Sequence, residues 1–239
     1  MKIHYAHSSE AWSGVVSFIQ QQILDNYARR VLEVGAGANP TFSFDFLQKH
    51  SLDYTLLDIS SEELSKAPKG YKIIEADIAS PHLSIQKNQY DLIFSRMLAE
   101  HIENGEAFHQ NIFDLLSKGG VAVHFFPTLY APPFVINRLL PEGLARKALN
   151  LLQSGREQHG KHAKFPAYYS WCRGPSQIQI QRFEKIGYEV GEYIGFFGHS
   201  GYYKKLPLID KIHRKFSTWL INHPTTLLTS FAYIVLVKR

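Results

Sequence analysis

The sequence predicts a doubly wound α/β domain with a mostly parallel sheet, on three observations. Short apolar runs alternate with helical patterns through the first half of the chain, which is typical of parallel strands covered by helices on both faces. A glycine-containing turn follows the first of these runs, at residues 35–37. The length of 239 residues, with 45% hydrophobic and 20% charged residues, suits one domain with a sizeable core and excludes a disordered chain.

The first half of the chain supplies the most regular elements. Residues 8–27 carry apolar side chains at helical spacing behind a start rich in capping residues, which predicts a helix. Apolar runs predict strands at residues 30–35, 54–58, 71–76, 90–95 and 121–126. Further helices are expected at residues 42–50 and 106–116, and a turn at residues 118–120 leads into the last of these strands.

The second half is less regular and contains two long insertions. The first, at residues 127–173, is rich in proline, and a segment of this length between sheet elements is commonly a functional cover. The second spans residues 198–230. The expected elements here are helices at 139–153, 175–186 and 208–220 and strands at 188–197 and 231–237.

Charge divides the chain into two unlike parts. Residues 1–126 carry 10 Lys and Arg against 15 Asp and Glu, a net charge of −5, whereas residues 127–239 carry 16 against 6, a net charge of +10. The basic half indicates an anionic partner or a membrane surface. A solvated basic face without a partner is the alternative.

Three kinds of protein are excluded by simpler features. No apolar run approaches the roughly 20 residues that a membrane-spanning helix needs. The first residues lack the apolar stretch of a secretory signal. A single cysteine, Cys172, excludes an internal disulfide framework and a multi-thiolate metal site. We therefore expect a soluble cytoplasmic protein.

The turn after the first predicted strand carries the most informative residues. Gly35 and Gly37 allow the backbone to turn sharply and approach a ligand closely, and Glu33 precedes them. Asp58 ends the second predicted strand, where a carboxylate can accept hydrogen bonds from both ribose hydroxyls. Asp77 follows the third, where an acid and its neighbouring amide can read the amino edge of adenine.

With residues 90–95 and 118–120, these positions resemble the class I S-adenosylmethionine-dependent methyltransferases over residues 25–126. The resemblance implies a Rossmann-like fold of seven strands, with residues 231–237 as an antiparallel last strand and helical insertions after strands 5 and 6. It implies S-adenosylmethionine as cofactor and S-adenosylhomocysteine as product. The implied cofactor-binding residues are Glu33, Gly35, Ala36, Gly37, Asp58, Ile59, Asp77, Ile78, Ser95, Arg96 and Met97.

A dinucleotide is the competing cofactor, because dinucleotide enzymes use a similar turn and ribose-binding acid. Pro40 stands where that fingerprint has its third glycine, and Glu33 has no role in that interpretation. We expect a single methyltransferase domain over residues 1–239, in which residues 1–126 bind the cofactor and residues 127–239 cover the substrate and close the sheet. A catalytically inactive cofactor-binding module is a further alternative.

Two histidines are the candidates for a catalytic base, which removes the proton of a hydroxyl acceptor. His101, with Glu100, follows the fourth predicted strand and resembles the Glu-His pair of many small-molecule methyltransferases; a role in helix packing or in shaping the cofactor site is the alternative. His199 follows the strand at 188–197. Met97 replaces the additional Glu of metal-binding ubiquinone-pathway enzymes, so no metal is expected. His124, within an apolar strand, is interpreted as a core residue.

The leading functional hypothesis is O-methylation of a small molecule or glycan, as in natural-product or polysaccharide pathways. Cations at residues 156–164 and aromatics at 168–171 suit an acidic or sugar acceptor. The alternative is a peripheral membrane enzyme acting on a lipid or lipid-linked acceptor, indicated by the basic amphipathic residues 206–220. Nucleic acid is not expected, because residues 131–134 resemble a base-methylating motif but begin with alanine, which lacks the required side-chain oxygen.

Overall fold

The chain is organised around one eight-stranded sheet. The computed structural model describes residues 1–129, 166–199 and 207–239. The order of the strands across the sheet is β1-β7-β8-β6-β5-β2-β3-β4, and their bounds are β1 (Lys2–His7), β2 (Arg30–Val34), β3 (Asp53–Asp58), β4 (Lys72–Glu75), β5 (Tyr90–Arg96), β6 (Leu116–Pro127), β7 (Tyr188–Phe197) and β8 (Phe231–Lys238). Among these strands β8 alone runs antiparallel to its neighbours, β6 and β7.

Helices cover both faces of this sheet. Their bounds are α1 (Ser8–Asp25), α2 (Phe44–Lys49), α3 (Ser61–Ser65), α4 (Gly105–Leu115), α5 (Gln177–Ile186) and α6 (Pro207–Asn222). The apolar face of α1, including Ile19 and Ile23, joins one hydrophobic core. Ile112 of α4 and Phe183 of α5 join the core on the opposite face, so the sheet is doubly wound as predicted.

The predicted fold class is confirmed, with one strand more than expected. The additional strand is β1, which pairs in parallel with β7 at the edge of the sheet. Residues 2–4 are exposed, and a half-exposed edge strand needs no apolar run. The strand therefore lacked the signal on which the other strands were predicted.

Four other predicted features differ in detail or fall outside the described residues. The predicted turn at residues 118–120 lies within β6, where the pairing with β5 is irregular between Tyr90 and Leu92 and Gly119 has a φ of +79°. The predicted helix at 139–153 lies outside the described residues, as do residues 131–134 and the cations at 156–164.

The topology brings seven parallel strand ends to one edge of the sheet. Because the carboxyl ends of β2, β3, β4 and β5 share this edge, the glycine turn, Asp58, Asp77 and Arg96 all emerge along it. In open α/β sheets ligands bind at this edge. Within the described part of the chain, no helix combines the length and the apolar character needed to cross a bilayer.

Candidate active site

The glycine turn leaves β2 in a conformation that favours glycine. Gly35 and Gly37 have φ values of +76° and +51°, in the left-handed region that glycine adopts without penalty. The Gly35 N–H group donates to the Leu57 carbonyl oxygen over 2.8 Å. A Cβ atom on Gly35 would lie 2.9 Å from Leu98 Cδ1, so this turn packs directly against the loop that follows β5.

Glu33 holds this turn in place through its buried carboxylate. The backbone N–H of Thr41 donates to Glu33 Oε2 over 2.9 Å, the Thr41 hydroxyl donates to Oε1, and the Tyr54 hydroxyl donates to Oε2 over 2.5 Å. Burial and the Glu33 charge raise the pKa of Tyr54, which therefore stays protonated as a donor. Glu33 thus ties the loop after the glycine turn to β3.

Arg96, at the end of β5, carries a buried donor with no partner among the described residues. Its Nη2 lies 3.6 Å from Glu33 Oε1, whereas its Nε is buried and makes no hydrogen bond. A buried guanidinium donor without a partner is costly. The position beside the glycine turn suits an anionic group of a bound ligand.

Asp58 connects the glycine turn to the end of β3. Its Oδ2 accepts from the Gly37 N–H over 2.9 Å, and its Oδ1 accepts from the Ser60 N–H over 3.0 Å. An ionised carboxylate offers about four lone-pair sites, so both oxygens retain capacity for hydroxyl donors. Ile59 is strongly exposed beside it, which leaves an apolar surface next to this acid.

The loop after β4 is held in place by Asn111, a residue that the sequence did not indicate as part of the site. Asp77 Oδ1 accepts from the Ala79 N–H over 2.9 Å, while Ile78 is buried. Asn111 of α4 donates from Nδ2 to the carbonyl oxygens of Ile78 and Ser80, each over 2.8 Å. Asn111 has no motif in the sequence, because its partners lie more than 30 residues away and an isolated asparagine on a helix carries no signal.

The end of β5 combines a buried hydroxyl with an unusual backbone. Ser95 is fully buried, and its Oγ lies 2.8 Å from His124 Nδ1. Burial lowers the pKa of His124 to about 3, so its ring is neutral. Met97 has a φ of +53°, and its N–H donates to the Phe125 carbonyl oxygen over 2.8 Å. A non-glycine residue in this region is uncommon and is concentrated at functional sites.

Glu100 and His101 lie in a short 3-10 helix (Ala99–His101) just beyond this strand. His101 Nδ1 lies 2.9 Å from the Pro166 carbonyl oxygen, and His101 Nε2 lies 3.7 Å from Glu100 Oε1. A carbonyl only accepts, so in the neutral ring Nδ1 carries the proton and Nε2 is the basic nitrogen. Burial raises the pKa of Glu100 to about 8, so this carboxyl is largely protonated at neutral pH.

His199 lies elsewhere along the same edge, after β7. It is buried, its Nε2 lies 2.9 Å from Ser230 Oγ, and its backbone N–H donates to His213 Nε2 over 2.7 Å. Burial, with a smaller contribution from His213, lowers the pKa of His199 to about 3. It lines a cavity of about 330 Å³ with residues of β1, α1 and α6, and His101 is not among that cavity's lining residues.

A larger groove of about 690 Å³ lies away from the site, at the amino-terminal ends of β3 and β4, where it is lined by Asp53 and Lys72. Within the described ranges, no group of three or more His, Cys, Asp or Glu side chains is arranged to hold a metal ion.

Comparison with known proteins identifies the family. The family described as "Methyltransferase domain" matches residues 5–173, well over half of the chain. The chain therefore belongs to this methyltransferase family. No curated protein sequence matches it significantly.

Solved structures share the fold at low sequence identity. An S-adenosylmethionine-dependent methyltransferase from Archaeoglobus fulgidus is 14% identical, with a TM-score of 0.54 over 96% of this chain and 97% of its own. A protein described as a putative methyltransferase of this kind from Listeria monocytogenes is 13% identical, with a TM-score of 0.54 over 95% and 99%. The [4+2]-cyclase SpnF is 11% identical, with a TM-score of 0.59 over 98% and 83%. Such identities establish the fold alone.

The family, the fold and the motifs together make this chain a class I S-adenosylmethionine-dependent methyltransferase, with S-adenosylmethionine as its cofactor. The described residues fit that cofactor. Gly35 and Gly37 let the backbone turn at positive φ, Asp58 retains acceptor capacity, and Arg96 Nε is a buried donor without a partner in the described part of the chain.

Proposed function

We propose that this methyltransferase transfers the methyl group of S-adenosylmethionine to a hydroxyl oxygen of a small molecule or glycan, with His101 as the base. The observation that carries this proposal is the contact between His101 Nδ1 and the Pro166 carbonyl oxygen. That contact makes Nε2 the nitrogen able to accept a proton, at the end of the strand beside the cofactor residues.

The proposed cofactor contacts follow the order of the strands. Asp58 accepts hydrogen bonds from the ribose hydroxyls, and Ile59, Asp77 and Ile78 surround the adenine. Gly35, Ala36 and Gly37 allow the backbone to approach the methionyl part, whose carboxylate pairs with Arg96. Ser95 and Met97 shape the floor of the site through their backbone, since the Ser95 hydroxyl already contacts His124. Glu33 acts through Thr41 and Tyr54 by holding the turn.

The chain's own contribution to the reaction is positioning and proton removal. The cofactor supplies, when bound, a methyl group on a positively charged sulfur. The residues around it must hold the acceptor oxygen close to that methyl group and in line with the breaking bond. His101 Nε2 takes the hydroxyl proton as the oxygen attacks, which raises the nucleophilicity of the oxygen.

His199 is the weaker candidate for this base. A catalytic base works best with a pKa near the operating pH, whereas burial holds the pKa of His199 near 3. Its ring contacts Ser230 and its backbone contacts His213, which supports a role in joining β7, β8 and α6. We therefore assign His199 to positioning.

The acceptor itself is proposed to be anionic. The support is the net charge of +10 on residues 127–239. Opposite charge raises the local concentration of an anionic substrate.

Transfer of an isotopically labelled methyl group tests the proposal. The protein is incubated with labelled S-adenosylmethionine and fractionated mixtures of small hydroxylated acids and glycans, and labelled products are identified by mass spectrometry. We expect a methyl ether whose formation is lost in His101→Gln, with S-adenosylhomocysteine affinity retained. A methylated nitrogen or carbon in the product would refute O-methylation, and transfer undiminished in His101→Gln would refute the base.

A further inference from the structure

Helix α6 turns its polar side toward the protein and its apolar side outward. The side it turns toward the protein consists of Asp210, His213, Ser217 and Leu220, of which three are polar and two of those, Asp210 and Ser217, are buried. Asp210 Oδ2 accepts from Arg214, while its buried Oδ1 has no partner among the described residues. A helix stabilised by its own domain normally buries its apolar side instead.

The apolar side chains of α6 face outward and form one continuous stripe. Its members are Leu208, Ile209, Ile212, Phe216 and Trp219, with exposed fractions between 46% and 72%. At 100° per residue they fall within about 100° of the helix circumference and extend about 16 Å along the axis. The rings of Phe216 and Trp219 stack at 5.9 Å, and Trp219 stacks on His223 at 4.8 Å.

Positive charge borders this stripe. Lys211 and Lys215 are exposed on the flank of the helix next to Leu208 and Trp219, and Asp210, the helix's one acid, is paired with Arg214. An exposed apolar stripe edged by lysines, with tryptophan and phenylalanine on it, has the composition of helices that lie in the plane of an anionic bilayer surface. Lysine stems can lie along the apolar layer while the ammonium groups reach the phosphates.

A second copy of this chain is a poorer match for the stripe. A two-fold interface places the same surface of each copy against the other. Two copies pairing through α6 would bring both pairs of lysines to the same contact, with no exposed acid on the helix to offset them. An anionic lipid surface offers the opposite charge.

We propose that α6 docks this protein on an anionic phospholipid bilayer through the stripe formed by Leu208, Ile209, Ile212, Phe216 and Trp219. The helix packs against β1 and β7, and His213 within it accepts from the backbone N–H of His199 at the carboxyl edge of the sheet. Docking through α6 therefore holds this edge, where the active site lies, close to the lipid surface. The inference concerns binding and stands whether or not the proposed acceptor and base are correct.

Sedimentation of the protein with phospholipid vesicles tests this proposal. We expect binding to vesicles that contain phosphatidylserine, weakening at high salt, and little binding to phosphatidylcholine alone. Ile212→Ser should weaken binding about tenfold, and Phe216→Ser combined with Trp219→Ser about 100-fold, because each removes apolar surface from the contact. The matched control is Ile178→Ser, which alters an isoleucine on α5 that is at least as exposed as Ile212.

Charge is tested separately from apolar contact. Lys211→Glu combined with Lys215→Glu should abolish the preference for phosphatidylserine, whereas Lys185→Glu on α5 should leave it unchanged. No binding to phosphatidylserine vesicles would overturn the proposal, as would equal losses of vesicle binding in the α6 and α5 variants.

Light scattering and thermal unfolding test whether something other than a bilayer covers the stripe. A dimer that Ile212→Ser dissociates would assign the stripe to a second copy, and a lowered melting temperature in that variant without vesicle binding would assign it to the protein's own packing.

Discussion

Gly37 donates its backbone N–H to Asp58 Oδ2 over 2.9 Å, so the turn after β2 and the acid at the end of β3 form one unit. Asp58 therefore has two roles in the proposed site. It fixes the shape of the turn that approaches the cofactor, and it keeps lone pairs for ribose hydroxyls. A change at Asp58 should affect both.

Asp58→Ala should weaken S-adenosylhomocysteine binding by about 10- to 150-fold, the equivalent of about 1.5–3 kcal/mol for hydrogen bonds to a charged group. Asp58→Asn should lose less, because one oxygen can still accept from Gly37. Calorimetry with S-adenosylhomocysteine measures both variants. The control is Asp53→Asn, at the exposed start of the same strand, which should bind as the wild type does; equal affinity in Asp58→Ala would show that Asp58 does not hold the ribose.

Asn111→Ala should loosen the loop at residues 78–80 without touching the cofactor directly. Both hydrogen bonds from Asn111 Nδ2 would be lost, at a cost of about 1–2 kcal/mol, which is a factor of about 5–30 in affinity if the loop must be ordered for binding. Calorimetry and chemical unfolding separate the effect on binding from that on stability. Gln110→Ala, on the exposed side of the same helix, is the control. A fall in stability with no change in affinity would contradict a positioning role for Asn111.

With an identified acceptor, His101→Gln should lower kcat by about 10²–10⁴. The loss of kcat should shrink at high pH, because the acceptor hydroxyl then ionises without a base. His199→Gln should lower kcat far less, because the pKa of His199 near 3 leaves it a poor base. The pH dependence of kcat in both variants distinguishes the base from the positioning residue. If neither variant loses tenfold, positioning alone carries the reaction.

Protein stability should fall with rising pH through the titration of Glu100. Its pKa is raised by burial from 4.5 to about 8, so within this window the folded state holds a proton that the unfolded state has released. The stability present below the unfolded-state pKa is therefore lost as pH rises, by at most about 1.4 kcal/mol per pH unit and by less as pH approaches the folded-state pKa.

Chemical unfolding at about pH 7 and pH 8, compared between the wild type and Glu100→Gln, measures the contribution of Glu100 apart from the opposite contribution of buried histidines such as His124, whose pKa is lowered to about 3. Glu100→Gln keeps a neutral polar side chain and should flatten the profile. An unchanged slope in Glu100→Gln would mean that another group titrates there.

The Michaelis constant for the acceptor should rise with ionic strength if the acceptor is anionic, while the affinity for S-adenosylhomocysteine changes little. Salt screens the attraction between the basic half of the chain and a charged substrate. Initial rates at several salt concentrations measure the effect. A neutral hydroxylated analogue of the acceptor provides the comparison, since its Michaelis constant should not respond.

The central strands could be predicted from sequence because each is apolar over its whole length. Val31 and Leu32 in β2 and Ile93 and Phe94 in β5 are all buried, and such continuous runs indicate parallel strands covered on both faces. Strand β1 could not be predicted in this way, because it lies at the edge and its first residues face solvent.

The site was less accessible to sequence reasoning, because its support comes from contacts between distant residues. The glycine turn and Asp58 follow a known spacing, whereas the contacts of Glu33 with Tyr54 and of Asn111 with Ile78 require the folded chain. Periodicity likewise predicted an amphipathic helix at residues 208–220. It could not indicate that the polar side would face the protein. Periodicity shows that a helix has a polar and an apolar face, but it does not show which face contacts the rest of the protein.

The position of β8 between β6 and β7 has a consequence for the order of assembly. Strand β7 precedes β8 in sequence, yet β7 and β1 reach the rest of the sheet only through β8. The five strands from β6 to β4 can therefore assemble as a nucleus, whereas the β1–β7 pair must wait for a partner formed later along the chain. Pairing of this long range is slow to form. We infer that the joining of these two blocks is the late folding event, and that a break in β8 would leave two partial sheets with open edges prone to association.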